Sequence, residues 1–245
     1  MFDFVFQHRR NVANVGDLHC SPAEYFDFGH QHVMDLQDDA PACNTVVLGG
    51  GNIFGRCIDA VIYRTSLARH RVIWGVGITP AHRRDISFDI VAPNCALIST
   101  RNFGVPDIDY VPCASAMSPL FDNPPAPRHA VVMLRHARQS RGFDCPTGIP
   151  DMTNRDVTLP QVIAHIASGE TVVTDSYHGT YWAMLLGRKV LCVPFNDKFR
   201  HFRQPPVFAR SDDWRDRLQL AETRPDLLDE ARRLNQAFYQ RVINL

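Results

Sequence analysis

Two parallel-sheet α/β domains are the architecture the sequence predicts, and three observations point to it. Short β-branched or apolar runs alternate with helical or polar segments along the 245 residues, the pattern of βα units rather than of a β-sandwich. The stretch Glu170–Arg200, ETVVTDSYHGTYWAMLLGRKVLCVPFNDKFR, reads as strand, loop, helix, strand, loop. Between these units lies the segment 119–129, PLFDNPPAPRH, whose four prolines suit a linker. The boundaries expected are an N-terminal domain at 1–122, a linker at 123–129 and a C-terminal domain at 130–245.

In chain order, Phe2–Phe6 is the first strand, followed by the turn-rich NVANVGD at 11–17 and a helix expected from Pro22 to Phe28, capped by Asp17 or Ser21. Thr45–Leu48 is a strand running into Gly49-Gly50-Gly51-Asn52. Residues 56–69 carry helical apolar spacing through Cys57, Ile58, Val61, Ile62 and Leu67. Val72–Val76, Cys95–Thr100 and Tyr110–Cys113 complete the first half. In the second half Ala130–Leu134 is a strand ending on Arg135-His136, residues 140–158 read as a long loop, and Leu159–Ala167 as a helix. The last helix is expected to be capped by Thr223, with Pro225 in its first turn and an apolar stripe from Leu227 to Val242.

Composition narrows the function classes. Lys+Arg and Asp+Glu both number 26, which gives no electrostatic reason to expect nucleic acid or an anionic membrane as partner. The seven cysteines are scattered without C-x-x-C spacing, pointing to a reducing compartment and away from a zinc site. No signal peptide is read in MFDFVFQHRR, and no apolar run reaches the roughly 20 residues of a membrane span. A cytoplasmic protein is expected, free or peripheral at the inner face of the membrane. H-E-x-x-H, G-x-S-x-G, G-x-G-x-x-G and the Walker loop are all missing.

The chemistry-bearing residues cluster at loops that follow strands, where open parallel sheets bind ligands. Ser176, Tyr177, His178 and Gly179 open a helix, and helix-start N–H groups suit an anion. His178 there can bind phosphate or move a proton, or can simply cap the helix. Asn196 and Lys198 follow the next strand. Arg135 ends the first strand of the second half, with a fork suited to phosphate or carboxylate, or standing as an exposed strand-end charge. Gly50 and Gly51 allow close backbone approach to a ligand, or make a tight turn.

These motifs in this order, N-V-G-D at 14–17, G-G-G-N at 49–52, G-V-G-I at 75–78, T-D-S-Y-H-G at 174–179 and V-P-F-N-D-K at 193–198, resemble the polysaccharide pyruvyl transferases. The resemblance implies a GT-B-like fold, two Rossmann-like domains facing a cleft, with a shortened N-terminal domain here. It implies transfer of the pyruvyl group of phosphoenolpyruvate to a sugar or oligosaccharide acceptor, lipid-linked or not, as a ketal with release of phosphate. No cofactor and no metal are expected, phosphoenolpyruvate being a substrate. His178, Arg135 and Lys198 are the catalytic candidates. Arg135, Ser176, Tyr177, His178, Gly179, Asn196 and Lys198 are the donor-binding set, and Asn14, Gly16, Asp17, Gly50, Gly51 and Asn52 the acceptor side. Ser176-Tyr177 stand where many members carry Arg-Leu. Two other readings share these residues: a GT-B glycosyltransferase using a nucleotide sugar, and a non-catalytic sugar-binding protein of the same fold.

Overall fold

The computed structural model describes residues 2–78, 91–140 and 142–245. Among the described residues the strands form two wholly parallel sheets, one of six strands and one of five. The chain divides into two compact units, Met1–Val12 with Asp17–Met117 and Ala231–Leu245, and Ala13–Gly16 with Ser118–Glu230. This is the α/β, Rossmann-like arrangement expected from the alternation of strand and helix.

In the first unit the sheet order is β2-β1-β3-β4-β5-β6, with β1 Phe2–His8, β2 Gln31–Asp35, β3 Cys43–Gly49, β4 Ala68–Val76, β5 Leu97–Thr100 and β6 Asp109–Tyr110. Between β3 and β4 the helical spacing resolves into α2, Phe54–Asp59, and a π-helical turn, Ala60–Arg64; a short α1, Val15–Leu18, precedes them. Cys57 and Val61 of that stretch enter the core beside Leu48 and Ile73, while Leu67 is exposed. The side chains of Ile58 and Ile62 lie outside the description. The helix expected over Pro22–Phe28 is only a 3-10 turn, Pro22–Glu24, because Phe26 and Phe28 are drawn into an aromatic cluster with Phe4, Phe6 and Trp74.

The final helix, α5 (Leu227–Ile243), corrects the expected boundaries. Its residues from Ala231 onward belong with the first unit. Phe238 meets Trp74 edge-on at 4.9 Å, and the Trp74 indole N–H donates to Asn235 Oδ1 at 3.0 Å. Burying Phe238 and Val242 in this cluster stabilises it by roughly 1.5–3 kcal/mol each. The helix starts two residues beyond Pro225, after Asp226 in the left-handed region at φ 63°, so Thr223 is not its cap.

In the second unit the order is β11-β10-β9-β7-β8, with β7 His129–Arg135, β8 Asp151–Thr153, β9 Gly169–Thr174, β10 Lys189–Cys192 and β11 Val207–Phe208. The region expected to be one loop at 140–158 thus contributes an edge strand, β8, paired to β7 from Met133 to Arg135. Strand alternation gives this sheet two distinct faces. Met133, Val173, Leu191 and Val193 pack against Phe143 and Trp214 on one face. The other face receives α3 (Leu159–Ala167) and α4 (Tyr177–Leu185). Helix α3 opens on a capping box from Thr158 and Gln161. Every residue of α4 is buried, which suits its nearly uniform apolar circumference.

Candidate functional site

Helix α4 is held to the sheet by its first turn. Ser176, buried, is the N-cap, and its hydroxyl accepts from the Gly179 N–H at 3.3 Å. Thr174 Oγ1 accepts from the Ser176 N–H at 3.0 Å and donates to the Leu134 carbonyl. A Cβ at Gly179 would lie 2.7 Å from both Leu134 Cδ2 and Thr174 Oγ1, so only glycine lets the turn sit this close. The Thr-Asp-Ser-Tyr-His-Gly motif thus docks the helix on the sheet, with the Ser176 hydroxyl accepting the cap bond.

His178, in that first turn, is 6 % exposed. Its ring lies 5.2 Å from the Trp182 ring, one helical turn on, and meets Tyr177 edge-on at 5.7 Å. Against it stands Gly16, where an added Cβ would come within 2.1 Å of His178 Nδ1 and 2.5 Å of Cγ. Asn14 and Gly16, expected on the acceptor side with the first domain, thus fall in the second unit beside His178.

Asn154, which the sequence reading did not single out, holds that segment in place. Its carbonyl accepts from the Val15 N–H at 3.0 Å, and its amide donates to Asn14 Oδ1 at 3.1 Å. Asn14 Oδ1 also accepts from the Gly16 N–H at 3.1 Å. The Asn154 side-chain oxygen accepts from the Ala137 N–H at 3.0 Å. Asn154 is buried at the end of β8, inside a polar stretch with no periodicity to flag it.

Lys198 arrives on a 3-10 turn, Asp197–His201, whose N-cap is Asn196; the Asn196 side chain accepts from the Lys198 N–H at 3.1 Å. Lys198 Nζ sits 4.3 Å from the centre of the Phe195 ring and 5.1 Å from that of Phe199, close enough for cation–π attraction. Phe199 neighbours Tyr177 at 6.1 Å, so an aromatic chain joins the lysine loop to the turn that carries His178.

Arg135 is engaged elsewhere. It follows Val131 and Met133 in strand parity, on the face away from α4, and its Nε donates to the Asp151 carboxylate at 2.9 and 3.1 Å. The Asp151 hydrogen bond holds its pKa above the ordinary arginine value. Asp175, on the same face, is buried, and its carboxylate accepts from the His136 N–H at 2.6 Å and from the Ser140 hydroxyl. Burial pushes the Asp175 carboxyl up, against the opposite pull of those two donors.

In the first unit Gly50 and Gly51 adopt φ of 74° and 71°, and a Cβ at Gly50 would lie 2.2 Å from Cys20 Sγ. This loop is built for a tight turn over Cys20. Asp17 pairs with Arg9 at 3.4 Å, and Asn52 is exposed. A pocket of about 800 Å³ lies nearby in sequence but not at this loop; it is lined by His8, Ser21, Glu24, Asp35 and Asp38. Ser21 takes the N-cap position of the 3-10 turn without making the cap bond, and neither its buried hydroxyl nor buried His8 Nδ1 has a hydrogen-bond partner among the described residues.

Among the described residues no group of three His, Cys, Asp or Glu is placed to hold a metal ion, and no helix is long and apolar enough to cross a membrane.

No family model and no curated protein sequence matches the chain. Among solved structures, the chain is similar to a functionally uncharacterized protein, KP1_0663 from Klebsiella pneumoniae subsp. pneumoniae NTUH-K2044, with a TM-score of 0.50 and 14% identity over 79% of this chain and 83% of that one. At that identity the likeness speaks for the fold alone.

Proposed function

We propose that the chain is a pyruvyl transferase that moves the pyruvyl group of phosphoenolpyruvate onto a sugar of a polysaccharide or glycan precursor. The observation that carries this reading is the meeting of Gly16 with His178. Two of the motifs on which the family resemblance rests, far apart in sequence, come together on one histidine at the carboxyl edge of a parallel sheet. The reading takes the two sheets as the halves of a GT-B-like enzyme working in the cytoplasm.

The chemistry asks for one proton donor, one acceptor and cationic support for phosphate and carboxylate. In this scheme a proton adds to C3 of the donor, leaving positive charge at C2 and its oxygen. A sugar hydroxyl attacks C2 and gives up its proton; the bond from C2 to the bridging oxygen then breaks, phosphate leaves with that oxygen and a proton, and C2 is again electron-poor. A second hydroxyl closes the ketal and releases its proton. His178 is the acid or acid/base, and Lys198 holds the donor anion. Arg135 contributes only if Asp151 releases its guanidinium, so its part in the reading is reduced to bracing the strand edge.

The test is incubation of the purified protein with phosphoenolpyruvate and a panel of mono- and oligosaccharides, following released phosphate and the ketal methyl signal by NMR. Wild type is expected to form ketal and His178→Ala to lose at least about a hundredfold in rate. His178→Ala turning over at the wild-type rate, or release of nucleoside diphosphate from a nucleotide sugar in place of phosphate, would overturn the reading.

A further inference from the structure

A second place in the same unit is shaped for an anion. On the face of the sheet away from α4, a pocket of about 460 Å³ opens at the carboxyl ends of β9, β10 and β11. Its volume is that of a small-molecule site. Three arginines line it, Arg200, Arg210 and Arg217, against one carboxylate, Asp175.

Arg217 is the informative member. It is half-buried, its Nε is closed off from solvent, and that Nε has no hydrogen-bond partner among the described residues. A buried guanidinium N–H without an acceptor is unfavourable, and native proteins place such a donor where an acceptor meets it. Arg200 and Arg210, both largely exposed, pair with Asp197 at 3.5 Å and with Asp212 and Asp213 at 2.9 and 3.6 Å, which restrains both guanidinium groups. Asp175 offers little repulsion, since its carboxylate accepts from the His136 N–H and the Ser140 hydroxyl and burial draws it toward the neutral form.

The remaining wall is apolar and aromatic. Phe195 and Phe208 line the pocket, the Arg200 guanidinium lies 5.7 Å from the Phe208 ring centre, and His136 braces Phe195 edge-on at 5.7 Å. A cationic rim over two aromatic rings fits a phosphoryl group joined to a flat or apolar organic part.

We propose that this pocket binds a phosphorylated small molecule, its phosphate held by Arg217 with Arg200 and Arg210 and its organic part lodged between Phe195 and Phe208. Two sources share that chemistry, an enol phosphate and a nucleoside diphosphate. The transferase reading assigns none of the three arginines a role, so either proposal can fail alone.

The experiment is calorimetry and thermal shift on the full chain with phosphoenolpyruvate, uridine diphosphate and inorganic phosphate, with pyruvate as the unphosphorylated control. Wild type is expected to bind at least one phosphorylated compound and to melt higher in its presence. Arg217→Met keeps the packed stem and removes the charge. It is expected to weaken binding about tenfold or more, with Arg200→Gln in the same direction, while ligand-free Arg217→Met melts no lower than wild type. Preference for phosphoenolpyruvate or for uridine diphosphate assigns the source, and either supports the site. No phosphorylated compound binding, binding by both arginine variants as tight as by wild type, or a lower melting temperature for ligand-free Arg217→Met overturns it. Binding lost in His178→Ala and retained in Arg217→Met also overturns it, moving the anion to the start of α4 and leaving the transferase reading standing.

Discussion

Gly16 and His178 occupy adjoining space so closely that a Cβ on the first would lie 2.1 Å from Nδ1 of the second. The segment carrying Gly16 is pinned by Asn154 through the Val15 N–H and the Asn14 side chain, and His178 is pinned by its own helix turn and by Trp182. Both sides thus resist a shift of the imidazole.

Gly16→Ala therefore forces His178 to move. Overpacking of this kind destabilises by about 1–3 kcal/mol. Chemical denaturation is expected to show that loss, and on the proposed transferase reading a larger fractional loss is expected in phosphate release from phosphoenolpyruvate, because displacing the ring by an ångström matters more to proton transfer than to packing. Full activity with an unchanged melting temperature would show that the ring position is unimportant.

Much of this arrangement was legible beforehand. The β-branched runs at 45–48, 72–76, 130–134 and 171–174 all became strands, and the loops after them do lie at the carboxyl edges. Strand β2 escaped because Gln31–Asp35 carries no apolar run, and β8 because Asp151–Thr153 is an edge strand needing only one partner. Docking of Ala231–Leu245 onto the first sheet is a contact across more than a hundred residues, such as Trp74 with Asn235, which local periodicity does not encode. Arg135 is the instructive case. Its odd-numbered parity with Val131 and Met133 already separates it from the α4 face, but the partner that occupies it, Asp151, lay in a stretch read as loop.

That pairing is itself testable. Arg135 and Asp151 are each about a quarter exposed, with side-chain values of 26% and 23%, and the fork is engaged through more than one bond. A double-mutant cycle of Arg135→Met and Asp151→Asn is expected to give a coupling of roughly 1 kcal/mol, at the upper end for accessible ion pairs. On the proposed transferase reading, Arg135→Met is expected to leave the KM for phosphoenolpyruvate within about twofold. A tenfold rise in KM would return Arg135 to the donor site.

Ser21→Ala is expected to leave stability unchanged or raise it by about 1 kcal/mol, measured by urea denaturation. Alanine at an N-cap ordinarily destabilises, but Ser21 makes no cap bond and its buried hydroxyl is unpaired. Removing it relieves a desolvation penalty and costs no hydrogen bond. A loss of 1 kcal/mol or more would mean that the hydroxyl is satisfied in solution.

Asp175 sets a pH dependence whose sign follows from its burial. Its folded pKa lies above the ordinary aspartate value, with burial the largest cause, so the folded state holds the proton more tightly than the unfolded chain. Its contribution to stability is fully present below about pH 4, the unfolded value, and is lost as pH rises through the folded one. Asp175→Asn stays neutral throughout. The amide oxygen can accept from the His136 N–H as the carboxylate does. The amide N–H can donate to Ser140 Oγ, whose own proton then goes to the His136 carbonyl, already 2.7 Å away. Urea titrations at stepped pH are thus expected to show the variant gaining on wild type as pH climbs from about 4 toward neutrality. Parallel curves for the two proteins over that range would mean that the carboxyl titrates alike in the folded and unfolded states.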